Sequence, residues 1–323
     1  MERASIDELA DFLIGQAEDA HAMTGCTAIL APAGAVCGID IRGGSPGTRD
    51  TAALSPLCNR ELVHAVLLSG GSSFGLDAAG GLMGLLEEKG IGRDVGVTVV
   101  PNVSAAILFD LQCGSSRIRP DAAMGREAGE NAFRRLPFQS GNHGAGTGAT
   151  VGKTNGLQNA MKGGIGAAAY RQGELFAGAV FAVNCVGDVV ENGRIVAGAR
   201  NGCGHGFADS ESRILGAYAD EKDFFSGNTV LGCIFTNAKL TKASASRIAG
   251  RGQDAVAKTI RPAHSLYDGD TVFTLASGRV ETSRDALGVL AEKASAAAML
   301  DAVRSAETYG EYLAFRDLAE GME

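Results

Sequence analysis

Glycine is the residue that most constrains this chain. It occurs 46 times in 323 residues, in pairs and short clusters from one end to the other, with only seven prolines. A linker would gather its glycines into one tract. Glycines dispersed between apolar runs mark tight turns and places where two backbones approach closely. Apolar residues make up 45% and charged residues 20%, enough to bury a substantial core, so the composition excludes a disordered chain. Length alone allows one large domain or two ordinary ones.

The apolar runs alternate with helical patterns. Residues 63–68 form a strand-like run, followed by a Gly/Ser turn at 69–73. A helix then carries Leu76, Ala79, Leu82, Met83 and Leu86 on one face and stops at Gly90. "VGVTVVP" reads as a strand, as do "LFAGAVFAVNCVGDVV", "NTVLGCIFTNAKL" and "TVFTLASG". A helix is predicted from Thr241 to the break at Pro262, and a long helix or helix pair follows near the C-terminus. Ser5-Ile6-Asp7-Glu8 reads as a helix capping box. The polar stretch 205–228 reads as a long exposed loop. No internal repeat occurs, and the mixture predicts an α/β or α+β class.

Several function classes drop out. No run of about 18 apolar residues predicts a membrane span. No apolar h-region follows a basic n-region, so a secretory signal is not expected. A net charge of −8 disfavours general nucleic-acid binding. The seven cysteines (26, 37, 58, 113, 185, 203, 233) include no Cys-x-x-Cys and read as buried thiols of a cytoplasmic protein. The five histidines are scattered, and Cys203-Gly204-His205 is too short and isolated to propose a metal site.

One stretch invites a nucleotide-binding reading. "HGAGTGATVGKTNG", residues 143–156, ends its glycines in Gly152-Lys153-Thr154. A Walker A loop needs a glycine five positions before Gly152, where this chain has Thr147. A nucleotide loop is therefore disfavoured.

Two further features carry chemistry. Asn228-Thr229 lies where the polar stretch meets an apolar strand. Cleavage before Thr229 would give its hydroxyl an α-amine as a nearby base, titrating near pH 7.7–8; the alternative is an ordinary dipeptide. In Asp268-Gly269-Asp270, residues two apart on an extended segment would aim both carboxylates one way. The alternative there is a β-turn. Two carboxylates with no nearby histidine or third acid make a poor metal site.

Taken together, the segments "TGCTAIL", "GIDIRGGSPGTRDT", "VHAVLLSGGSSFGLDAAGG", "GAGTGATVGK", "KGGIGAAA", "VNCVGDVV", "GNTVLGCIFTNAKLTK" and "IRPAHSLYDGDTVFTLASG" resemble the DmpA-like family of self-cleaving N-terminal-nucleophile aminopeptidases and amidases, peptidase family S58. They occur in the family's order from about residue 24 to 280, and "GATVGK" with a Thr nucleophile looks closest to the nylon-oligomer-hydrolase branch. The resemblance implies an α/β fold, a layered αββα sandwich like that of ornithine acetyltransferase-like proteins, as a single domain over 1–323. It implies autocleavage between Asn228 and Thr229 into an α chain, 1–228, and a β chain, 229–323. Thr229 matches the nucleophile, Asp268 and Asp270 the acidic pair, and Asn184 the oxyanion-binding Asn. Lys153 matches the lysine of the glycine loop. Lys162 in "KGGIG" competes for that role, but the whole "GAGTGATVGK" block matches around Lys153. Phe109 stands near a substrate-contacting Tyr of some members.

Departures are Val230, where Thr is frequent, and Gln16, where His is usual in an N-terminal segment that the family makes a strand over residues 12–15. The implied activity is hydrolysis of amide, and also ester, bonds in small peptides, amino-acid amides or amide oligomers. The resemblance implies no cofactor or metal, no nucleic-acid or membrane partner, and a homo-oligomer of αβ heterodimers in the cytoplasm. Alternatives are an acyltransferase on a related self-cleaving fold, or an unprocessed structural homologue.

Overall fold

The computed structural model describes residues 1–202, 206–218 and 227–318. Cys203 and His205 lie outside the described residues, as does 219–226 of the polar stretch. Eight described strands have five residues or more: β1 (Leu13–Asp19), β2 (Thr24–Ile41), β3 (Leu62–Ser69), β4 (Val103–Ile107), β5 (Gly164–Gln172), β6 (Leu175–Asn184), β7 (Thr229–Ala238) and β8 (Thr271–Val280). The helices are α1 (Ala78–Glu88), α2 (Ala122–Phe133), α3 (Ser210–Gly216), α4 (Lys242–Thr259) and α5 (Arg284–Ser305). With the short edge strands Glu2–Ala4 and Thr48–Arg49, the eight form a ten-stranded sheet. Its order is Glu2–Ala4, β5, β6, β7, β8, β2, β3, β4, Thr48–Arg49, with β1 also paired to β2. β7 and β8 run parallel, as do β3 and β4.

Three apolar cores explain the layering. β6 sends Ala177, Ala179, Phe181 and Val183 into a core with Ile248 and Val256 of α4 and Met299 and Val303 of α5. Its alternate residues Phe176, Val180 and Ala182 enter a second core with Ile29 of β2 and Val66 and Leu68 of β3. The other faces of β2 and β3, through Ala28, Leu30, Ala65 and Leu67, meet Leu82 and Leu86 of α1 and Ala128 and Ala132 of α2. The long β2 joins the two halves: residues 36–41 pair with β8 and residues 24–30 with β1. The result is helices, sheet half, sheet half, helices, an αββα sandwich. Strands buried on both faces need apolar side chains at nearly every position, which is why they read as continuous runs.

Glycine lets helix backbone rest directly on strands. A Cβ on Gly166 of β5 would lie 2.3 Å from Ala298 O and Ala302 N of α5. Gly15 of β1 meets α2 the same way, 2.1 Å from Ala128 O.

Several local expectations shift. The capping box closes only a 3-10 turn, Ile6–Glu8, with β1 beginning at Leu13, so cap and strand coexist. Thr241 caps α4 through its hydroxyl, 3.2 Å from the Ser244 N–H. α5 is one continuous helix, not a pair. The strand expected over "VGVTVVP" shrinks to Val99–Val100, paired with Arg93–Asp94, because Val97 faces solvent instead of a core. The stretch expected to be a loop contains α3. Asp209 caps it, accepting from the Ser212 N–H at 2.8 Å, and buried Ser210 is pinned by Asp188. No helix among the described residues is long and apolar enough to cross a membrane.

Candidate active site

Sheet topology brings distant residues together. Thr229, the first residue of β7, lies opposite Asn184, the last of β6. β8 runs parallel to β7 with Leu231 opposite Thr271, so residues 268–270 come alongside the start of β7. Asn228 and Asp268 form a bridge there. A turn does form, but it spans 265–268, closed by the Asp268 N–H on Ser265 O at 3.2 Å, and Asp268 leaves it to pair with Asn228.

Thr229 is buried, and its Oγ1 donates to the carbonyl oxygen of Asn228. The same carbonyl accepts the backbone N–H of Gly269 at 3.0 Å. A Cβ at position 269 would stand 2.9 Å from Thr229 Oγ1 and 2.6 Å from Ser45 O. Only glycine lets this backbone run against the hydroxyl.

The two carboxylates are buried and separately held. Asp268 Oδ2 accepts from Ser265 N at 2.9 Å and Ser265 Oγ at 2.5 Å. Asp270 Oδ1 accepts from Val230 N at 2.7 Å, and its Oδ2 lies 2.7 Å from His264 Nδ1. Burial, with the charge of Asp270, pushes Asp268 up to about 6.

Lys153 reaches the same place from the glycine loop. Its Nζ donates to Asn184 Oδ1 at 2.9 Å and to Asn184 O at 3.1 Å. Burial lowers its ammonium to about 8. The chain after Lys153 makes only a 3-10 turn, Leu157–Asn159, rather than the helix of a phosphate loop. The Asn184 amide NH₂ donates to Phe109 O at 2.9 Å and Gly227 O at 3.5 Å. It therefore holds the segment before Asn228, while the Gly269 N–H holds the Asn228 carbonyl. Lys162 lies elsewhere, fully buried beneath the glycine loop. Its Nζ donates to Ala149 O at 2.7 Å and to Gly163 O and Gly146 O.

A cleft of about 210 Å³ opens beside Thr229, lined by Ser45, Ser72, Ser73, Ile107, Phe109 and Tyr267 among others. The Phe109 ring packs on Gly227, 2.6 Å from where a Cβ would be. Among the described residues, no group of three or more His, Cys, Asp or Glu side chains is placed to hold a metal ion. The arrangement gives a hydroxyl against a carbonyl, a backbone donor on that carbonyl, a buried lysine and two carboxylates. This set suits acyl transfer through a hydroxyl nucleophile. The sequence reading missed Gly269, His264 and Ser265. His264 and Ser265 stand inside a quoted motif, but a backbone donor leaves no mark in sequence.

The profile of peptidase family S58 matches residues 5–312. The chain belongs to peptidase family S58. This S58 peptidase is 38% identical over 309 residues to an uncharacterized aminopeptidase of Mycobacterium leprae, covering 88% of this chain and 83% of that protein. It is 30% identical over 311 residues to a 6-aminohexanoate-oligomer endohydrolase of Kocuria sp., covering 90% and 83%. In fold it is similar to an L-aminopeptidase D-Ala-esterase/amidase from Ochrobactrum anthropi, described as a variant of the Ntn hydrolase fold. There the TM-score is 0.66 at 16% identity, covering 93% of this chain and 85% of that one. A Burkholderia sp. beta-aminopeptidase gives 0.64 at 18% identity, covering 93% and 86%. The S58 chain is thus a hydrolase of amide bonds on an Ntn-type α/β scaffold.

Proposed function

We propose that this S58 chain is a self-processing N-terminal-threonine hydrolase, a single domain cut between Asn228 and Thr229 into chains 1–228 and 229–323. The observation that carries the reading is Thr229 Oγ1 against the Asn228 carbonyl, with the Gly269 N–H on the same oxygen. The hydroxyl attacks that carbonyl carbon through a five-membered ring, the C–N bond breaks, and an ester to Thr229 forms with a free α-amine. Water hydrolyses the ester, leaving a carboxylate on Asn228.

In turnover the α-amine of Thr229 takes the hydroxyl proton as Oγ1 attacks the substrate carbonyl. An amine of this kind titrates near pH 7.7–8 and so is available near neutrality. Gly269 N–H, and the Asn184 NH₂ once residues 227–228 have left, stabilise the oxyanion. The proton passes to the leaving amine, and water then hydrolyses the acyl-enzyme. Asp268 and Asp270 orient the amine and hydroxyl, and Lys153 supplies positive charge beside Asn184. Lys162 holds the glycine loop by its carbonyls, so Lys153 is the active-site lysine of the two.

The substrates are small peptides, amino-acid amides or amide oligomers, with esters as faster-leaving analogues, and Phe109 lines the acyl cleft. Relatives described as an aminopeptidase in Mycobacterium leprae and a 6-aminohexanoate-oligomer endohydrolase in Kocuria sp. support this range. The processed chains form αβ heterodimers that assemble further. Six described cysteines, all free, fit a reducing cytoplasm. A panel of aminoacyl p-nitroanilides, amide oligomers and esters, run on purified wild type and Thr229→Ala, tests the reading. Full activity in Thr229→Ala would sink it. Preferential transfer to added amines over water would favour an acyltransferase instead.

A further inference from the structure

His264 sits at φ +59, in the left-handed region that a non-glycine residue seldom occupies. This backbone turn has a visible result. His264 and Ser265 are neighbours in sequence, yet each serves a different carboxylate. His264 Nδ1 lies 2.7 Å from Asp270 Oδ2, and its backbone N–H 3.3 Å from the same oxygen. Ser265 gives its N–H at 2.9 Å and its hydroxyl at 2.5 Å to Asp268 Oδ2.

The far oxygens complete the arrangement. Asp270 Oδ1 accepts the N–H of Val230, the residue after Thr229, at 2.7 Å. Asp268 Oδ1 lies 3.5 Å from the Val186 N–H, two residues after Asn184. Imidazole, Asp270 and the second peptide of β7 thus form one chain of contacts. Serine, Asp268 and the segment just past β6 form a second.

Buried carboxylates two residues apart repel each other and tend to share one proton unless each is given its own donors. The dipeptide supplies those donors, two per acid. His264 Nε2 is buried and has no hydrogen-bond partner among the described residues, so Asp270 is the ring's polar engagement there. With its proton on Nδ1, the ring donates to Asp270.

We propose that His264 and Ser265 are positioning residues that act on Thr229 through Asp270 and Asp268, holding the two carboxylates apart and in fixed rotamers. The proposal rests on the reading of Thr229 as nucleophile. It predicts a loss in kcat and in processing rate with little change in KM, because the clamp touches the acids and not the cleft.

The test separates ring from backbone. His264→Gly keeps the left-handed conformation and removes the ring donor. His264→Asn keeps a short donor on a residue that tolerates the same conformation. His264→Gly is expected to lower kcat and the processing rate about 10- to 100-fold, the worth of one buried charge-assisted hydrogen bond. KM should stay within about twofold, and His264→Asn should recover most of the loss. Wild-type kcat and processing in His264→Gly, beside an inactive Thr229→Ala, would overturn the clamp and leave the nucleophile standing. Full activity in Thr229→Ala would instead overturn the nucleophile reading itself. A loss in His264→Gly that His264→Asn does not recover, or that tracks a fall in Tm, would make the role merely structural and also overturn the proposal. If His264→Gly is insoluble, Ser265→Ala carries the same test on Asp268, with Ser265→Thr as the restoring change.

Discussion

A threonine hydroxyl is a weak nucleophile at neutral pH, and the groups around Thr229 bear on that weakness. Thr229→Ala should stay one uncut chain and lose at least about 10³-fold in amidase rate, whereas Thr229→Ser should still cut itself; a denaturing gel and an amide assay read both. Asn184→Ala should cost about 10²- to 10³-fold in kcat by removing an oxyanion donor. The pH dependence has a definite sign. Burial and the Asp270 charge raise Asp268 to about 6, so its carboxylate forms only above that pH and kcat/KM should climb through about 6. A flat profile from pH 5 to 7 would contradict the role given to Asp268. Stability runs the other way in that window. Between 3.8 and about 6 the folded chain holds a proton that the unfolded chain releases, so this group makes stability fall as pH rises. Lys153 is depressed from 10.5 to about 8 by burial, so the unfolded chain binds the extra proton and stability rises between those values. Lys162 contributes with the same sign. Lys153→Met should therefore remove part of that alkaline rise in urea midpoints without abolishing it.

At the scale of elements, one substitution should have opposite effects at two glycines. Gly166→Ala puts a methyl against the α5 backbone and should cost about 1–3 kcal/mol. Gly84→Ala, inside α1 with open space around it, should gain up to about 1 kcal/mol through helix propensity. Urea denaturation of both variants checks the pair. The same packing explains what was legible in the sequence. β6 and β7 are apolar at nearly every position because both faces are buried, so they could be read as runs. The segment before Pro101 mimics such a run, yet Val97 finds no core and most of it forms no strand. α3 was hidden because its start is fixed by a distant Asp188, not by periodicity. The meeting of Thr229 with Asp268 and Asp270 arises from a parallel pairing across an intervening helix, α4, a short strand, Ile260–Arg261, and a turn at 266–267. The spacing of the two acids hinted at a shared target, and the family resemblance joined them to Thr229. Gly269 was invisible as a donor because its contribution is a backbone N–H.

At the scale of the whole molecule, the proposed cut falls at the head of a central strand. β7 pairs with β6, β8 with β2, and Ile260–Arg261 with Asp188 and Val189, so three ladders would still join chain 229–323 to chain 1–228 after cleavage. The fragments should co-elute in native gel filtration and part only in denaturant. The central claim is that the amidase is made by the chain's own cleavage before Thr229. Intact mass and N-terminal sequencing of purified, active protein test it most directly. The predicted result is two chains, the shorter beginning Thr229, Val230, Leu231. A single uncut chain of 33.0 kDa with full amidase activity would contradict it.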